Sequence, residues 1–282
     1  VNLATFTWAT NMVLGRWLRA DVGPLTLAAV RFLIASLIFA VLLQRRPQEE
    51  RRLGNDRWLL LAMAFTGVVL FAPLLYLGLR FTTTVSATMI NGFGPLITGL
   101  LATALIGEPM NRRQVVGAIA GIAGIGILLF GSSATSWHGF GLNLGDLVIV
   151  GAVTLWGLYS VLGRRVMLHR SALSATAFST FLGLPFLCLA AIWELQHIQP
   201  QTAPRVLLAL LYIGVFPTVV GFLSWNAGVR RLGASGAMVF YNTLPLYGAL
   251  LGIVLLHESL GFYHFAGGLL IAGGGIWAAR RR

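Results

Sequence analysis

The sequence predicts an all-α membrane protein in which ten transmembrane helices form two inverted five-helix repeats. Three observations carry that expectation. The first is composition: 57% of the 282 residues are hydrophobic and only 10% are charged, whereas a soluble domain is roughly a quarter charged. The second is a series of ten apolar runs, each near the ~20 residues that cross a bilayer as a helix. No run alternates with a period of two, so helices rather than barrel strands must satisfy the backbone in lipid. The third is internal self-similarity at a separation near 150 residues.

The apolar runs fall at 2–19, 24–43, 58–79, 83–106, 113–131, 144–162, 172–193, 205–225, 235–256 and 262–279. The most charged connection carries Arg45, Arg46, Glu49, Glu50, Arg51, Arg52, Asp56 and Arg57 around Pro47 and reads as a solvated loop. A Gly/Ser-rich, Arg-free stretch follows the fifth run. It divides one membrane domain into a first repeat at 1–131, a loop at 132–143 and a second repeat at 144–282.

The net charge of +12 comes from 20 basic residues, all of them Arg. Nearly all sit in short gaps between apolar runs, so they read as topology signals, and no nucleic-acid partner is expected. With the N-terminus inside, fifteen Arg fall on the cytoplasmic side and four (Arg16, Arg19, Arg80 and Arg205) on the other, while Arg31 lies within the second run. The asymmetry places both termini in the cytoplasm.

At an offset of 150, Gly78 pairs with Gly228, Arg80 with Arg230, Pro95 with Pro245, Glu108 with Glu258, Gly117 with Gly267 and Gly124 with Gly274. Earlier in each half the offset is 148, pairing Trp8 with Trp156, Gly15 with Gly163 and Arg16 with Arg164. Each repeat then holds five helices. Five is odd, so the second copy enters the membrane from the opposite side, as in carriers that alternate between two openings.

These residues resemble the ten-helix drug/metabolite transporter superfamily, and within it the EamA-type permeases of bacteria. The resemblance rests on Trp8-Ala9-Thr10-Asn11 through Gly15-Arg16, on Pro24 and Arg31-Phe32, and on the twin patterns Gly78…Pro95…Gly107-Glu108…Gly117 and Gly228…Pro245…His257-Glu258…Gly267. It implies an inner-membrane permease or exporter of small metabolites such as amino acids. It also implies a central cavity lined mainly by helices 1, 3, 4, 6, 8 and 9. His257, where the first half has Gly107, is the departure from symmetry.

The polar residues mark a face independently of that resemblance. Thr84, Thr88, Asn91, Pro95 and Thr98 form one stripe of the fourth helix, and Met238, Tyr241 and Pro245, with Asn242 beside them, form the related stripe of the ninth. An amide at mid-span is costly in hydrocarbon unless it is paired. The expected substrate pocket comprises Asn11, Tyr76, Asn91, Trp156, Tyr159, Trp225, Asn226, Tyr241 and Asn242, with Pro95 and Pro245 as symmetric hinges. Structural roles compete at each position: the threonines can bond one turn back, Asn11 and Asn91 can join helices, and Trp8 and Trp156 can sit at the interface. Arg31 either snorkels outward or faces the cavity as an anion contact. Glu108 and Glu258 complement the N-terminal dipoles of the helices that follow them, and the glycines of helices 5 and 10 pack the two together.

All eight acids and all five histidines fall in connections or at helix ends. No mid-membrane carboxylate, metal-ligand pair or nucleophile–base pair is present, so neither enzymatic chemistry nor a cofactor or metal is expected. The expected partners are a small-molecule substrate and the lipid bilayer, with a monomer as the working unit. A secondary carrier is the favoured class. The alternative is a membrane assembly or lipid-binding protein on the same scaffold. Single cysteines at Ser133 and Gln48 in a Cys188→Ala background should be labelled by an impermeant thiol reagent from opposite sides of the membrane; labelling from one side refutes the topology.

Overall fold

The computed structural model describes residues 1–107, 112–131, 143–225 and 243–279. All regular structure among these residues is helical. The helices are α1 (Asn2–Trp17), α2 (Pro24–Gln44), α3 (Arg57–Phe81), α4 (Thr84–Asn91), α5 (Gly94–Ile106), α6 (Arg112–Gly131), α7 (Leu144–Val166), α8 (Ala172–Leu195), α9 (Pro204–Trp225), α10 (Thr243–Leu256) and α11 (Phe262–Ala279). Six runs among the described residues, five of them single α-helices or α–π composites and one of them α4 with α5, are long and apolar enough to cross a membrane; they are 24–44, 57–81, 84–105, 144–166, 172–195 and 204–225. Large apolar side chains such as Leu37, Leu189, Leu208 and Leu269 point out of the bundle. That surface suits lipid, not water.

Interior breaks shape two of the long runs. Both α3 and α9 widen into a π-helical segment, at Ala64–Leu70 and Gly214–Val220, which stand 150 residues apart. Neither segment was legible as a break in the apolar pattern. The α4/α5 run turns at Gly92–Phe93, where Gly92 N–H donates to the Thr88 and Met89 carbonyls and Phe93 N–H to that of Ile90. Pro95 lies just beyond, in the first turn of α5, where a missing N–H is tolerated. The bend therefore precedes the expected hinge residue. Pro245 lies near the start of α10 as described.

Charged side chains cap helices other than their own. Glu194, at the end of α8, accepts from the backbone of Leu25 and Thr26 and from the Thr26 hydroxyl, closing the N-terminus of α2. Glu258 accepts from Thr84 N–H at 2.8 Å and Val85 N–H at 3.0 Å. This corrects the expectation for Glu258: it complements the N-terminus of α4, from the other half of the chain, rather than that of the helix it precedes. Glu108 lies outside the described residues. Arg16 donates to the last carbonyls of α3, at Leu79 and Arg80, and Asp146 accepts from the Thr82 hydroxyl. The charged 44–57 connection is tethered as well as solvated. Arg170 pairs with Asp56 at 2.9 Å and donates to the Arg52 and Leu53 carbonyls, and Ser171 donates to Glu50.

The main contacts run α2 on α8, α3 on α7, α1 on α10, α5 on α7, and α6 on α11. The last pair meets backbone to backbone through its glycines. A Cβ added at Gly124 would lie 2.6 Å from the Gly267 carbonyl oxygen, and one at Gly274 would lie 2.7 Å from that of Gly117. Gly126, two residues on, faces open space. Gly124→Leu should therefore cost about 1–3 kcal/mol by overpacking, read as a lower Tm in detergent, while Gly126→Leu leaves Tm near wild type. Equal effects at both positions would contradict this packing.

Candidate functional site

A cavity lies in the middle of the bundle. It is lined by Trp8, Asn11 and Met12 of α1, Arg31 of α2, Phe71 and Leu75 of α3, Asn91 of α4, Trp156 of α7, Phe222 of α9 and Leu244 of α10. Its empty space is ≈ 370 Å³, part of it open at the mouth.

Four aromatic rings build one wall. Trp8 and Trp156 meet edge to face at 6.0 Å, Phe222 stands edge-on to Trp156 at 5.5 Å, and Phe71 lies 5.0 Å from Trp156. Trp8 is fixed by its indole N–H, which donates to the Pro217 carbonyl at 3.0 Å. The acceptor sits inside the π segment of α9. Both tryptophans thus belong to the interior rather than to an interfacial belt.

The polar side is a chain of neutral groups around one cation. Arg31 Nε donates to Thr218 Oγ1 at 2.7 Å, and its Nη1 donates to the Tyr76 hydroxyl at 3.1 Å. Tyr76 in turn donates to Asn11 Oδ1 at 2.7 Å. Gly15 makes room for the Tyr76 ring, since a Cβ there would stand 2.8 Å from it. Thr218 donates to the carbonyl of Ile213, five residues back, which is π-helical spacing. Asn91 Nδ2 donates to the Ala87 carbonyl at 3.0 Å, which leaves its carbonyl oxygen for the cavity.

Of the residues expected in the pocket, Asn11, Asn91 and Trp156 line it, and Arg31 lines it in place of snorkelling outward. Tyr76 stands just behind, buried, as the link between Arg31 and Asn11. Tyr159 stacks on Trp156 at 5.0 Å and packs against Gly67, outside the lining. Trp225 stands 5.5 Å from Trp8, also behind the wall. Asn226, Tyr241 and Asn242 lie outside the described residues. The expected Thr stripe is largely satisfied within its own helices, with Thr88 donating to the Thr84 carbonyl and Thr98 to that of Gly94. Trp8, Met12, Phe71, Leu75, Phe222 and Leu244 were missed. Only Trp8 carried a signal, its repeat pairing with Trp156. Among the described residues no group of three His, Cys, Asp or Glu is placed to hold a metal.

Among the described residues the cavity is lined by ten side chains from seven helices, and the comparisons with known proteins give the class of the chain. The EamA-like transporter family model matches residues 1–130 and 143–279. The chain belongs to the EamA-like transporter family, within the drug/metabolite transporter superfamily, and is a multi-pass membrane protein. It is 27% identical to the uncharacterized transporter YyaM of Bacillus subtilis, over 87% of this chain and 81% of that one. It is 28% identical to YetK, another uncharacterized transporter of that organism, over 94% and 81%. A probable terminal-alkyne amino-acid exporter of Streptantibioticus cattleyicolor is 22% identical over 99% and 92%. A solved crystal structure superposes with a TM-score of 0.67 at 22% identity, covering 98% of this chain and 93% of its own, a likeness of fold.

The Tyr76 hydroxyl holds two buried partners at once. Its removal in Tyr76→Phe leaves Asn11 Oδ1 and Arg31 Nη1 without it, which should cost about 1–3 kcal/mol, measured as a loss of thermal stability in detergent. Tyr247→Phe, where the ring packs edge-on to Phe6 at 5.5 Å, serves as the comparison and should cost less.

Proposed function

We propose that the protein is a secondary transporter of the bacterial inner membrane, moving amino acids or similar amphipathic solutes, outward in the main, by alternating access around the central cavity. In this reading ten spans, with both termini cytoplasmic, form two inverted repeats at 1–131 and 144–282 joined by 132–143. The observation that carries it is a mid-bundle cavity lined from both halves by aromatic rings, two amides and one cation.

Several features support the repeat. The π segments of α3 and α9 share the 150-residue offset. Gly107 and His257, also 150 apart, both adopt left-handed backbone, at φ 68 and 54. His257 thus keeps the conformation of Gly107 despite the change of residue. Contacts also exchange under the repeat: α1 packs on α10, as α7 does on α4 and α5. One relative is a probable amino-acid exporter, and the proposed direction and solute are taken by analogy with it. Pro95 and Pro245 serve as the hinges, working with the Gly92–Phe93 turn. A membrane assembly or lipid-binding role on the same scaffold is the alternative, which the polar and aromatic lining of the cavity does not call for.

Among the described residues the cavity lining holds no Asp, Glu or His. In this reading transport is largely facilitative and does not require a proton carried at the centre of the membrane. Purified protein in liposomes preloaded with amino acids, organic cations or sugar phosphates should show trans-stimulated uptake of at least one class, without a pH gradient. Asn91→Leu and Tyr241→Leu should abolish it while the variants remain folded. Wild-type rates in both variants would refute the site, and no trans-stimulation with any class would refute transport in favour of the alternative.

A further inference from the structure

Arg31 is the one cation in the cavity wall among the described residues. It lies 3% exposed, well inside α2. Its two hydrogen bonds go to neutral hydroxyls, those of Thr218 and Tyr76, and its charge rests over the Phe32 ring at 5.1 Å. Among the described residues no carboxylate pairs with it. Glu194, on the helix that packs against α2, is already committed to the backbone of Leu25 and Thr26. A guanidinium cannot shed its proton to escape burial, so its positive charge has no carboxylate partner among the described residues.

The guanidinium is also aimed. Thr218 fixes Nε from α9, Tyr76 fixes Nη1 from α3, and each of those hydroxyls is oriented by a further bond, to Ile213 O and to Asn11 Oδ1. The Nη2 edge is left with no hydrogen bond to the described protein. A fixed fork with one free edge, set in an apolar wall, is the arrangement that receives a carboxylate. From the geometry we infer that Arg31 is the head-group site of the carrier, binding the carboxylate of a small monoanionic or zwitterionic substrate whose apolar body lies on Trp8, Trp156 and Phe222. This inference rests on the transport reading for the site's use, not for its chemistry. The aromatic wall favours a ring or a short apolar chain as that body. One guanidinium, the single cation of the lining among the described residues, matches one negative charge better than the two of a phosphate dianion. Asn91 Oδ1, on the opposite helix, offers an acceptor for an ammonium or hydroxyl group of the same solute.

The test uses four probes of one shape on purified full-length protein in detergent: phenylacetate, L-phenylalanine, phenylacetamide and phenethylamine, with binding read by quenching of tryptophan fluorescence. Phenylacetate or L-phenylalanine should bind at least tenfold more tightly than phenylacetamide. Arg31→Gln should erase that difference. Arg31→Lys, which keeps the charge but not the fork, should retain the preference at weaker affinity and so guards against a fold lost with Arg31→Gln. Preference for the amide or the amine, failure of both carboxylates to bind, or an unchanged preference in a folded Arg31→Gln protein each overturns the inference. Trans-stimulated uptake in liposomes separates the two readings. Uptake of an uncharged or cationic solute that ignores Arg31→Gln leaves transport standing and removes Arg31; carboxylate binding without any uptake does the reverse.

Discussion

Hydrocarbon offers no hydrogen-bond partner, so every departure from regular α-helix in a membrane bundle must be satisfied by the protein itself or by a cavity it encloses. The rest of this architecture depends on that constraint. The π segments of α3 and α9 and the turn between α4 and α5 each present buried residues to the interior; the α9 segment exchanges hydrogen bonds with neighbouring helices, while Thr66 in the α3 segment bonds within its own helix. Within the α9 segment the Pro217 carbonyl takes the Trp8 indole N–H, and Thr218 reaches Ile213 while receiving Arg31. At the α4 break the Asn91 side chain folds back on Ala87. The cavity lies where these irregularities converge, so the same local deviations that a lipid-facing helix could not tolerate become its walls.

Charge is distributed by the same logic. Glu194 and Glu258 act as caps on helices remote in sequence, and Arg16 closes the C-terminal carbonyls of α3. Each such cap satisfies N–H or C=O groups that a helix end leaves open and ties elements that sequence separates by tens of residues or more. Because the Glu258 carboxylate reaches across to α4, the closure of one half is written partly into the connection of the other. Arg31 stands apart from this pattern, since its partners are neutral and its charge faces the cavity.

Much of the fold was legible because length and hydropathy speak directly about a bilayer. The expected runs at 24–43, 172–193 and 262–279 match the helices at Pro24–Gln44, Ala172–Leu195 and Phe262–Ala279 almost residue for residue. The π segments were not legible, because a π turn is built from the same apolar residues as an α turn, and only the spacing of its hydrogen bonds differs. At the site, Asn11, Asn91 and Arg31 could be found because a polar group in an apolar run is conspicuous. Phe71, Leu75, Phe222 and Leu244 could not, because a side chain facing a cavity and one facing lipid are chemically alike. Tyr159 shows the converse: its ring was expected in the pocket on repeat symmetry, but it stacks behind Trp156 against Gly67.

The two π segments show one backbone shape carried by unlike residues. Both are seven residues long and begin 150 residues apart. At that offset Gly67 in one segment corresponds to Pro217 in the other, the most and the least conformationally free of the amino acids. A π turn is defined by the spacing of its hydrogen bonds, so the irregular backbone accommodates both extremes at one position and is specified by shape more than by the residue that fills it.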